Sequence, residues 1–317
     1  MGFLSLHSVL ANRKAMRAMT HAAGVMLAVF LTACGGHKKS PAPPNEALDT
    51  TAPIMSGLTT SFVSPGNMML TASGVDNVGI TGYCFANTPA QPSASDGCFQ
   101  TAAQKAINIS LPVQRYYVWA KDAAGNVSNS SSVGPCSSAG FTASDGRSLK
   151  TVCMMTSLGE LVLELEGTRA PGTVANFLKY VNDGFYSNMV FHRVMSNFMV
   201  QAGGFTWTSA TGFASKSPTY NAIAMELPST TSLSHISGTI AMARTSDLNS
   251  ATSQFFINVV DNLSFDSDAT PYAVFGRVIS GNSTLSTLKT VPVVDNGSGE
   301  VSAPTNPPVI QWAIQLK

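Results

Sequence analysis

The sequence predicts a mainly β protein with two β domains in succession. Its 317 residues exceed what a single hydrophobic core usually organises, about 250 to 300 residues. Between residues 51 and 134, short apolar runs are separated by turn sequences such as DNVG and DAAGN. From residue 150 onward, apolar residues alternate with period two, as in strands that bury one face.

Residues 1–33 are expected to be a signal peptide. Three basic residues precede an apolar run over 22–31, which is too short for a membrane-spanning helix of ~20 residues. The run ends in LTAC, and the small residues before Cys34 resemble a bacterial lipobox, in which the cysteine carries the lipid. An ordinary free cysteine is the alternative, and a start at Met16 or Met19 would shorten the leader.

Residues 34–50 are expected to form a tether, because GGHKKSPAPPNEALDT is polar and proline-rich and lacks apolar periodicity. Position 35 is glycine, whereas in bacteria resembling the enteric ones an aspartate there holds lipoproteins at the inner membrane. The expected location is therefore the bacterial cell envelope, with a lipid anchor in the outer membrane and the protein facing the periplasm.

Residues 51–134 are predicted to form a small β-sandwich, with strands in MMLTASG, ITGYCFA, AINISLPV and YYVWAKD. The end of this region, RYYVWAKDAAGNVS, resembles the last strands of bacterial immunoglobulin-like or fibronectin-like domains. Tyr117 and Trp119 are interpreted as packing residues, not as a platform for carbohydrate. Asp76 and Asp122 are not interpreted as calcium ligands, because their spacing matches no ligand loop.

Residues 135–149 are interpreted as a second linker, and residues 150–317 as a second domain. This domain is expected to open with two apolar strands joined by a turn at Leu158 and Gly159. A helix is predicted after Pro171, a favoured first helical residue, and a short second helix over 283–288. The first helix would bury the apolar residues Val174, Phe177, Leu178 and Val181.

Two motifs in the second domain carry the functional signal. FHRVMSNFMVQAGGF, residues 191–205, combines a cation, an amide and large apolar side chains on two predicted strands that turn at Ser196 and Asn197. SGTIAMARTSDLNSATSQFFINV, residues 237–259, supplies another apolar strand, which ends in SQFFINV. This combination predicts a pocket with apolar walls and one fixed positive charge.

Both motifs resemble the signatures of the cyclophilin peptidyl-prolyl cis/trans isomerases, and the second motif is similar to the periplasmic bacterial type. The resemblance covers roughly residues 150–317. It implies a closed eight-stranded antiparallel barrel capped by two helices, and an isomerase of X-Pro bonds that needs no cofactor. Barrel closure would also remove the exposed edges of so apolar a set of strands.

The same resemblance implies the site residue by residue. Arg193 would be the catalytic cation beside the imide, and Gln201 would orient it. Family members commonly have asparagine where Arg244 stands, but the implied contact there is made by the backbone. His192 is interpreted as a buried, hydrogen-bonded structural residue, because imide rotation needs no proton transfer. The implied substrate-binding residues are Phe198, Met199, Gln201, Ala243, Arg244, Gln254, Phe256 and Phe265.

The loop DNLSFDSDATPYAVFG departs from the family pattern. Leu263 or Ser264 stands where many members carry an aromatic residue, often the tryptophan that contributes to cyclosporin binding. Phe265 would take the neighbouring apolar position, and Tyr272 a rim position that is histidine in other members. The expectation is an active isomerase that binds cyclosporin weakly.

The five cysteines predict an oxidising compartment. If Cys34 is lipidated, the four others allow three pairings. The expected disulfides are Cys84 with Cys98 and Cys136 with Cys153, each closing a short loop, and free buried thiols are the alternative.

The predicted function is prolyl isomerisation in secreted or outer-membrane proteins of the cell envelope. A non-catalytic module for proline-peptide binding or adhesion is the competing interpretation. A serine hydrolase is disfavoured because none of the serines lies in a nucleophile elbow, and no close His or Cys pairs predict a metal site. With 11% charged residues and a net charge of +1, no basic surface predicts nucleic acid as a partner.

Overall fold

The structure is a computed structural model that describes residues 48–317, which form one compact unit. The predicted signal peptide, the lipidation site Cys34 and the tether up to residue 47 lie outside the described residues. Across residues 48–317, none of the helices combines the length and the apolar character needed to span a bilayer. The described chain is mainly β, as the alternating apolar patterns predicted.

The N-terminal part consists of two antiparallel sheets, with strand orders β1-β2-β5 and β4-β3-β6-β7. The sequences ITGYCFA and YYVWAKD form strands with the predicted bounds, whereas the long first strand was not predicted. An immunoglobulin-like or fibronectin-like identity for this part stays a prediction. The strands are β1 (Ile54–Ser64), β2 (Asn67–Val75), β3 (Ile80–Ala86), β4 (Phe99–Gln100), β5 (Gln104–Asn108), β6 (Tyr116–Asp122) and β7 (Ser131–Val133).

The C-terminal part is organised by one antiparallel sheet of nine strands, with two separate hairpins and short helices around it. Its elements in chain order are α1 (Ser138–Asp145), β8 (Lys150–Thr156), β9 (Gly159–Leu165), α2 (Pro171–Asn182), β10 (Met189–Val190), β11 (Arg193–Met195), β12 (Met199–Ala202), β13 (Phe205–Thr208), β14 (Gly212–Ser215), α3 (Pro228–Thr231), β15 (Thr239–Met242), β16 (Phe255–Asn258), a 3₁₀ helix (Leu263–Asp266), β17 (Val274–Ser280), α4 (Asn282–Leu288), β18 (Val293–Asp295), β19 (Val301–Pro304) and β20 (Val309–Gln315).

The strand order of the large sheet is β10-β20-β8-β9-β17-β15-β16-β12-β11. Both predicted helices of this part, α2 and α4, are present with bounds close to those expected. The sheet has nine strands where eight were expected. The strands at the two ends of its order, β10 and β11, are separated in the chain only by Phe191 and His192.

Helix α2 forms where the proline and the apolar spacing predicted it. Pro171 occupies the first turn, where its missing N–H costs no hydrogen bond. The helix buries Val174, Phe177 and Val181 against the sheet, and Phe177 packs edge-on against Phe255 with ring centroids 5.7 Å apart. The predicted core face of this helix is therefore confirmed.

The large sheet buries both of its faces. Because successive residues of a strand point to opposite sides, Val152 and Met154 of β8 belong to the main core, which also holds Phe177. Cys153, between them, belongs to a second apolar cluster, which also contains Trp312 and residues of both N-terminal sheets. The N-terminal sheets are therefore packed onto the back of the sheet through shared apolar burial.

The predicted linker over 135–149 is wrong in one respect, because residues 138–145 form helix α1. Ser137 caps this helix by accepting a hydrogen bond from the Gly140 amide. Serines are equally common in linkers, so the sequence alone did not indicate this cap. Cys136 is bonded to Cys153 of β8, and Cys84 to Cys98, in the expected pairing. The indole N–H of Trp312 donates to the Pro135 carbonyl at 2.9 Å. The segment is thus fixed to the sheet.

Candidate active site

The register of three neighbouring strands places the main candidate residues in one row. Arg193 of β11 pairs with Gln201 of β12, and Gln201 pairs with Phe256 of β16. Paired residues in antiparallel strands project their side chains to the same face. A cation, an amide and an aromatic ring therefore stand side by side on this face of the sheet.

These side chains line one groove together with residues from the loops that follow β15 and β16. The groove contains eight of the nine residues that the resemblance implied, and Tyr272 joins them. Gln254 is not in its lining; its side-chain oxygen accepts a hydrogen bond from the Gln201 amide at 3.0 Å. The lining residues are Arg193, Phe198, Met199, Gln201, Ala243, Arg244, Phe256, Phe265 and Tyr272.

The walls of the groove are aromatic. The rings of Phe198 and Phe265 lie 5.6 Å apart between centroids, and those of Phe256 and Tyr272 meet edge-on at 5.5 Å. Phe198 lies in the turn between β11 and β12, where the sequence had predicted the start of the second strand. An apolar slot with such walls fits a proline ring, which offers only CH₂ groups to its surroundings.

Arg193 has its guanidinium held on several sides. Its Nη1 lies 3.4 Å from Oε1 of Gln201, at the groove, and its Nη2 lies 3.3 Å from the sulfur of Met195. Its Nε and Nη2 each donate to the Glu300 carboxylate at 2.6 Å. The interpretation of Gln201 as a residue that orients Arg193 fits this contact. The sequence did not point to Glu300, because it follows a glycine-rich turn and matches no motif.

The loop after β15 closes one side of the groove. The Arg244 side chain lies over the Tyr272 ring, 4.5 Å from its centroid, and its Nε donates to the Pro271 carbonyl at 2.9 Å. The Ala243 amide donates to the Gln254 carbonyl, so this N–H is not free for a bound peptide. The expectation that Ala243 offers backbone groups is thereby restricted to its carbonyl.

Two glycines let the chain pass closely behind the groove. Gly203 has a positive φ of 89°, and a Cβ there would lie 2.5 Å from the Ser253 carbonyl oxygen. A Cβ on Gly204 would lie 2.6 Å from the side chain of Gln254. The GG pair of the first motif therefore permits the approach that lets Gln254 reach Gln201.

The loop that departs from the family pattern places Phe265 in the groove. Leu263 is 56% exposed and Ser264 is also exposed, so neither lines the groove. Phe265 packs against both Phe198 and Tyr272. The 3₁₀ turn thus directs Phe265 into the groove, as implied for the neighbouring apolar position. The alignment of the family's aromatic position with residue 263 or 264 stays a prediction.

His235 supports the groove from behind, a role that its serine-rich sequence context did not reveal. It is fully buried and stacks on the Phe256 ring at 5.9 Å. One ring nitrogen lies 3.0 Å from the Tyr272 carbonyl and the other 3.2 Å from the Asn258 amide nitrogen. Because an amide nitrogen donates, this network assigns the neutral imidazole with its N–H toward Tyr272. Burial lowers the pKa of His235 despite these hydrogen bonds.

His192 agrees in part with the expectation of a buried, hydrogen-bonded structural histidine, because it has a hydrogen bond with the Val190 backbone but leaves one ring nitrogen without a partner in the described part of the chain. It is partly buried against the Phe205 ring at 4.6 Å, and its Nδ1 has no hydrogen-bond partner among residues 48–317. Burial lowers its pKa from 6.5 to about 4; the Val190 backbone opposes this shift and the Arg193 cation adds to it. His192 is therefore neutral at physiological pH and adds no charge beside Arg193.

Two groups of side chains in the described part have atoms close enough to hold a cation. Cys136, Cys153 and Glu160 form one, but both sulfurs are in a disulfide. The second group consists of three carboxylates that are distant in the sequence but have oxygens within 4.8 Å of one another: Asp49, Asp76 and Asp122. Acidic groups are common without an ion, so this geometry alone assigns no metal.

Comparison with known proteins identifies the C-terminal part. Residues 151–313 match the family model described as cyclophilin type peptidyl-prolyl cis-trans isomerase/CLD. Peptidyl-prolyl cis-trans isomerase A of Dickeya dadantii is 41% identical over 168 residues, which is 52% of this chain and 84% of that protein. Peptidyl-prolyl cis-trans isomerase B of Escherichia coli K12 is 40% identical over 151 residues, 46% of this chain and 88% of that protein.

Among solved structures, a cyclophilin type peptidyl-prolyl cis-trans isomerase of Cryptosporidium parvum is 26% identical to this chain, with a TM-score of 0.43. The match covers 52% of this chain and 96% of the Cryptosporidium chain. From the family match and the relatives together, this chain belongs to the cyclophilin-type peptidyl-prolyl cis-trans isomerase family. Its enzyme class is accordingly that of a peptidyl-prolyl isomerase.

The low pKa of His192 predicts how stability depends on pH. Between pH 6.5 and about 4, the unfolded chain binds a proton at His192 that the folded protein excludes, so the free energy of unfolding falls as pH falls. The contribution is at most about 3 kcal/mol. Urea unfolding at pH 7, 5.5 and 4 measures it, and His192→Gln should flatten this part of the curve. Parallel curves of unfolding free energy against pH for the two proteins would contradict a lowered pKa of His192.

Proposed function

We propose that this chain isomerises X-Pro bonds in secreted or outer-membrane proteins, and thereby assists their folding in the cell envelope. The observation that carries the proposal is the position of the Arg193 guanidinium beside a slot of aromatic walls. The slot supplies burial for the proline ring, and the cation supplies a fixed donor next to the imide. The family and enzyme class of residues 151–313 support the same reaction.

The groove accounts for rate enhancement without covalent chemistry. The imide bond has partial double-bond character, with a rotation barrier of ~18 to 20 kcal/mol. In the twisted state the imide nitrogen becomes pyramidal, and its lone pair can accept a hydrogen bond. A guanidinium fixed before the peptide binds stabilises that state more than either planar state. Phe198, Met199 and Phe256 would hold the ring while the bond turns.

The envelope location rests on the N-terminal sequence and on the cysteines. A signal-peptide pattern over 1–33 ends before Cys34, and the two disulfides of the described part fit an oxidising compartment outside the cytoplasm. We infer that Cys34 carries lipid and that residues 34–50 act as a tether to the outer membrane. The N-terminal sheets would then form a β-sandwich spacer between the tether and the enzyme.

The strand arrangement supports the eight-stranded closed barrel of the family. The end strands β10 and β11 are parts of one continuous stretch, Met189–Met195. The first part pairs with β20 and the last part pairs with β12. If these two short strands are counted as one, the sheet has eight strands, and the shared stretch joins its two edges.

A non-catalytic module that binds proline-containing segments is the second candidate. The ion pair between Arg193 and Glu300 favours it, because a carboxylate beside the cation offsets part of its charge. A protease-coupled or NMR exchange assay with a short proline peptide separates the two functions. A binding module would show affinity for the peptide without acceleration of its isomerisation.

The isomerase proposal predicts that Arg193→Ala removes most of the activity. The loss of one preorganised donor should lower kcat by roughly 10² to 10³, equivalent to about 2.7 to 4 kcal/mol. Peptide affinity, measured by NMR titration, should change little because the apolar slot is intact. Arg169→Ala, which removes an exposed arginine paired with Glu166, is the control and should keep wild-type kcat. Wild-type turnover in folded Arg193→Ala protein would refute the assignment.

The lipid proposal predicts that cells expressing the full chain incorporate radiolabelled palmitate into the protein. Replacing Cys34 by serine should abolish the label and release the protein from the membrane fraction, because no thiol is left to acylate at the processing site. The disulfide-forming cysteines serve as the control, since Cys84→Ser should leave the label in place. Label that persists in Cys34→Ser would exclude this anchor.

The groove also predicts weak inhibition by cyclosporin. Leu263 and Ser264, where the resemblance implies an aromatic residue, often tryptophan, are exposed and offer no ring, and Phe265 presents a ring without an N–H donor. Ser264→Trp should therefore lower the inhibition constant about five- to tenfold, since a hydrogen bond in a partly buried site contributes about 1 to 1.5 kcal/mol. Ser264→Phe, which adds a ring without a donor, is the matched control and should gain less. Tight inhibition of the unmodified enzyme in a direct titration would contradict this prediction.

A further inference from the structure

The Glu300 carboxylate holds the Arg193 guanidinium along one edge. Oε1 of Glu300 accepts from Nε at 2.6 Å, and Oε2 accepts from Nη2 at 2.6 Å. Two parallel hydrogen bonds between a planar fork and a planar carboxylate fix both the position and the plane of the guanidinium. This contact joins residues 107 positions apart in the chain.

The same contact determines which nitrogen faces the groove. Nε and Nη2 lie on one edge of the guanidinium, so the bidentate pair leaves Nη1 on the other edge. Nη1 lies 3.4 Å from Oε1 of Gln201, which lines the groove. The remaining contact of Nη1 is to the Met199 sulfur at 4.0 Å. Nη1 is therefore the donor that a bound imide would meet.

Glu300 is itself held in place by the hairpin of β18 and β19. The Asn296 amide donates to the Glu300 carbonyl at 2.9 Å, and the Asn296 side chain lies 3.4 Å from Oε1 of Glu300. Strand β19, which begins immediately after Glu300, lies beside β11. The carboxylate thus approaches Arg193 from a braced turn on the side opposite to the Gln201 contact.

We propose that Glu300 is a positioning residue for catalysis: it holds the Arg193 guanidinium with Nη1 toward the imide, without itself contacting the substrate. The inference rests on the proposed isomerase function and deepens it. The hydrogen bond from Arg193, with a further one from Ser302, lowers the pKa of Glu300 to about 2, so the carboxylate remains charged at physiological pH. Its charge weakens the field of Arg193, but an arginine free to rotate would meet the imide in the wrong geometry most of the time.

The test compares wild type, Glu300→Ala and Glu300→Gln in the NMR exchange assay, with folding checked by thermal melting. Glu300→Ala should lower kcat about tenfold while the peptide Kd stays within about twofold, because orientation and not binding is lost. Glu300→Gln retains one acceptor oxygen and should recover part of the loss. If the alanine variant fails to fold, the glutamine variant, which has nearly the same shape, carries the test.

A double-mutant cycle separates positioning from a general structural role. In the Arg193→Ala background, Glu300→Ala should cause no further loss, since its only effect passes through Arg193. The matched control is Glu166→Ala, which removes the carboxylate that accepts two hydrogen bonds from Arg169; neither residue lines the groove, so kcat should be unchanged.

Unchanged or increased kcat in folded Glu300→Ala would overturn the proposal, as would an equal loss in the Arg193→Ala background. An increase would show that Glu300 mainly offsets the Arg193 charge. These outcomes all require a wild-type protein that accelerates exchange. A wild type without acceleration would instead refute the isomerase function itself, so the two failures are distinguishable.

Discussion

Arg193 faces Gln201 across β11 and β12, and Gln201 faces Phe256 across β12 and β16. The groove depends on this register, since a slip of one residue would turn each of these side chains to the other face of the sheet. The register is in turn fixed by burial, because Val194, Val200 and Ile257 alternate with them and are completely or almost completely buried. The site is therefore specified by the same alternation that builds the core.

The charges around the groove are arranged so that few of them vary with pH. Arg193 and Arg244 are permanently charged, and each is held by protein acceptors, the Glu300 carboxylate for the first and the Pro271 carbonyl for the second. Burial lowers the pKa of both nearby histidines, His192 and His235, so neither adds a positive charge at physiological pH. Imide rotation requires a fixed electrostatic environment and no proton transfer. These groups provide such an environment.

Local sequence patterns predicted the elements that depend mainly on neighbouring residues. Helix α2 follows from Pro171 and an apolar face of period 3.6, and the two strands β3 and β6 follow from short β-rich runs between turns. The motif residues were predicted by resemblance. Helix α1 was not predicted because the serine that caps it lies in a sequence equally typical of a linker. The support from His235 and the ion pair from Glu300 were not predictable, because each depends on partners distant in the chain. Glu300 lies 107 residues from Arg193, and nothing in the residues around it marks the pairing.

The opposite faces of β8 have a consequence for the boundary between the two parts of the protein. Val152 and Met154 face the core that lies under the groove, whereas Cys153 faces the apolar cluster shared with the N-terminal sheets. Its disulfide to Cys136 fixes the segment that follows those sheets. Val162, Trp312 and Ile314 belong to the apolar cluster that includes residues of both N-terminal sheets, so an excised catalytic half would lose part of their cover. Exposed apolar strips of this kind promote self-association. The boundary predicted from the sequence is therefore not a boundary in the packing, because the N-terminal sheets share an apolar cluster with the back of the large sheet.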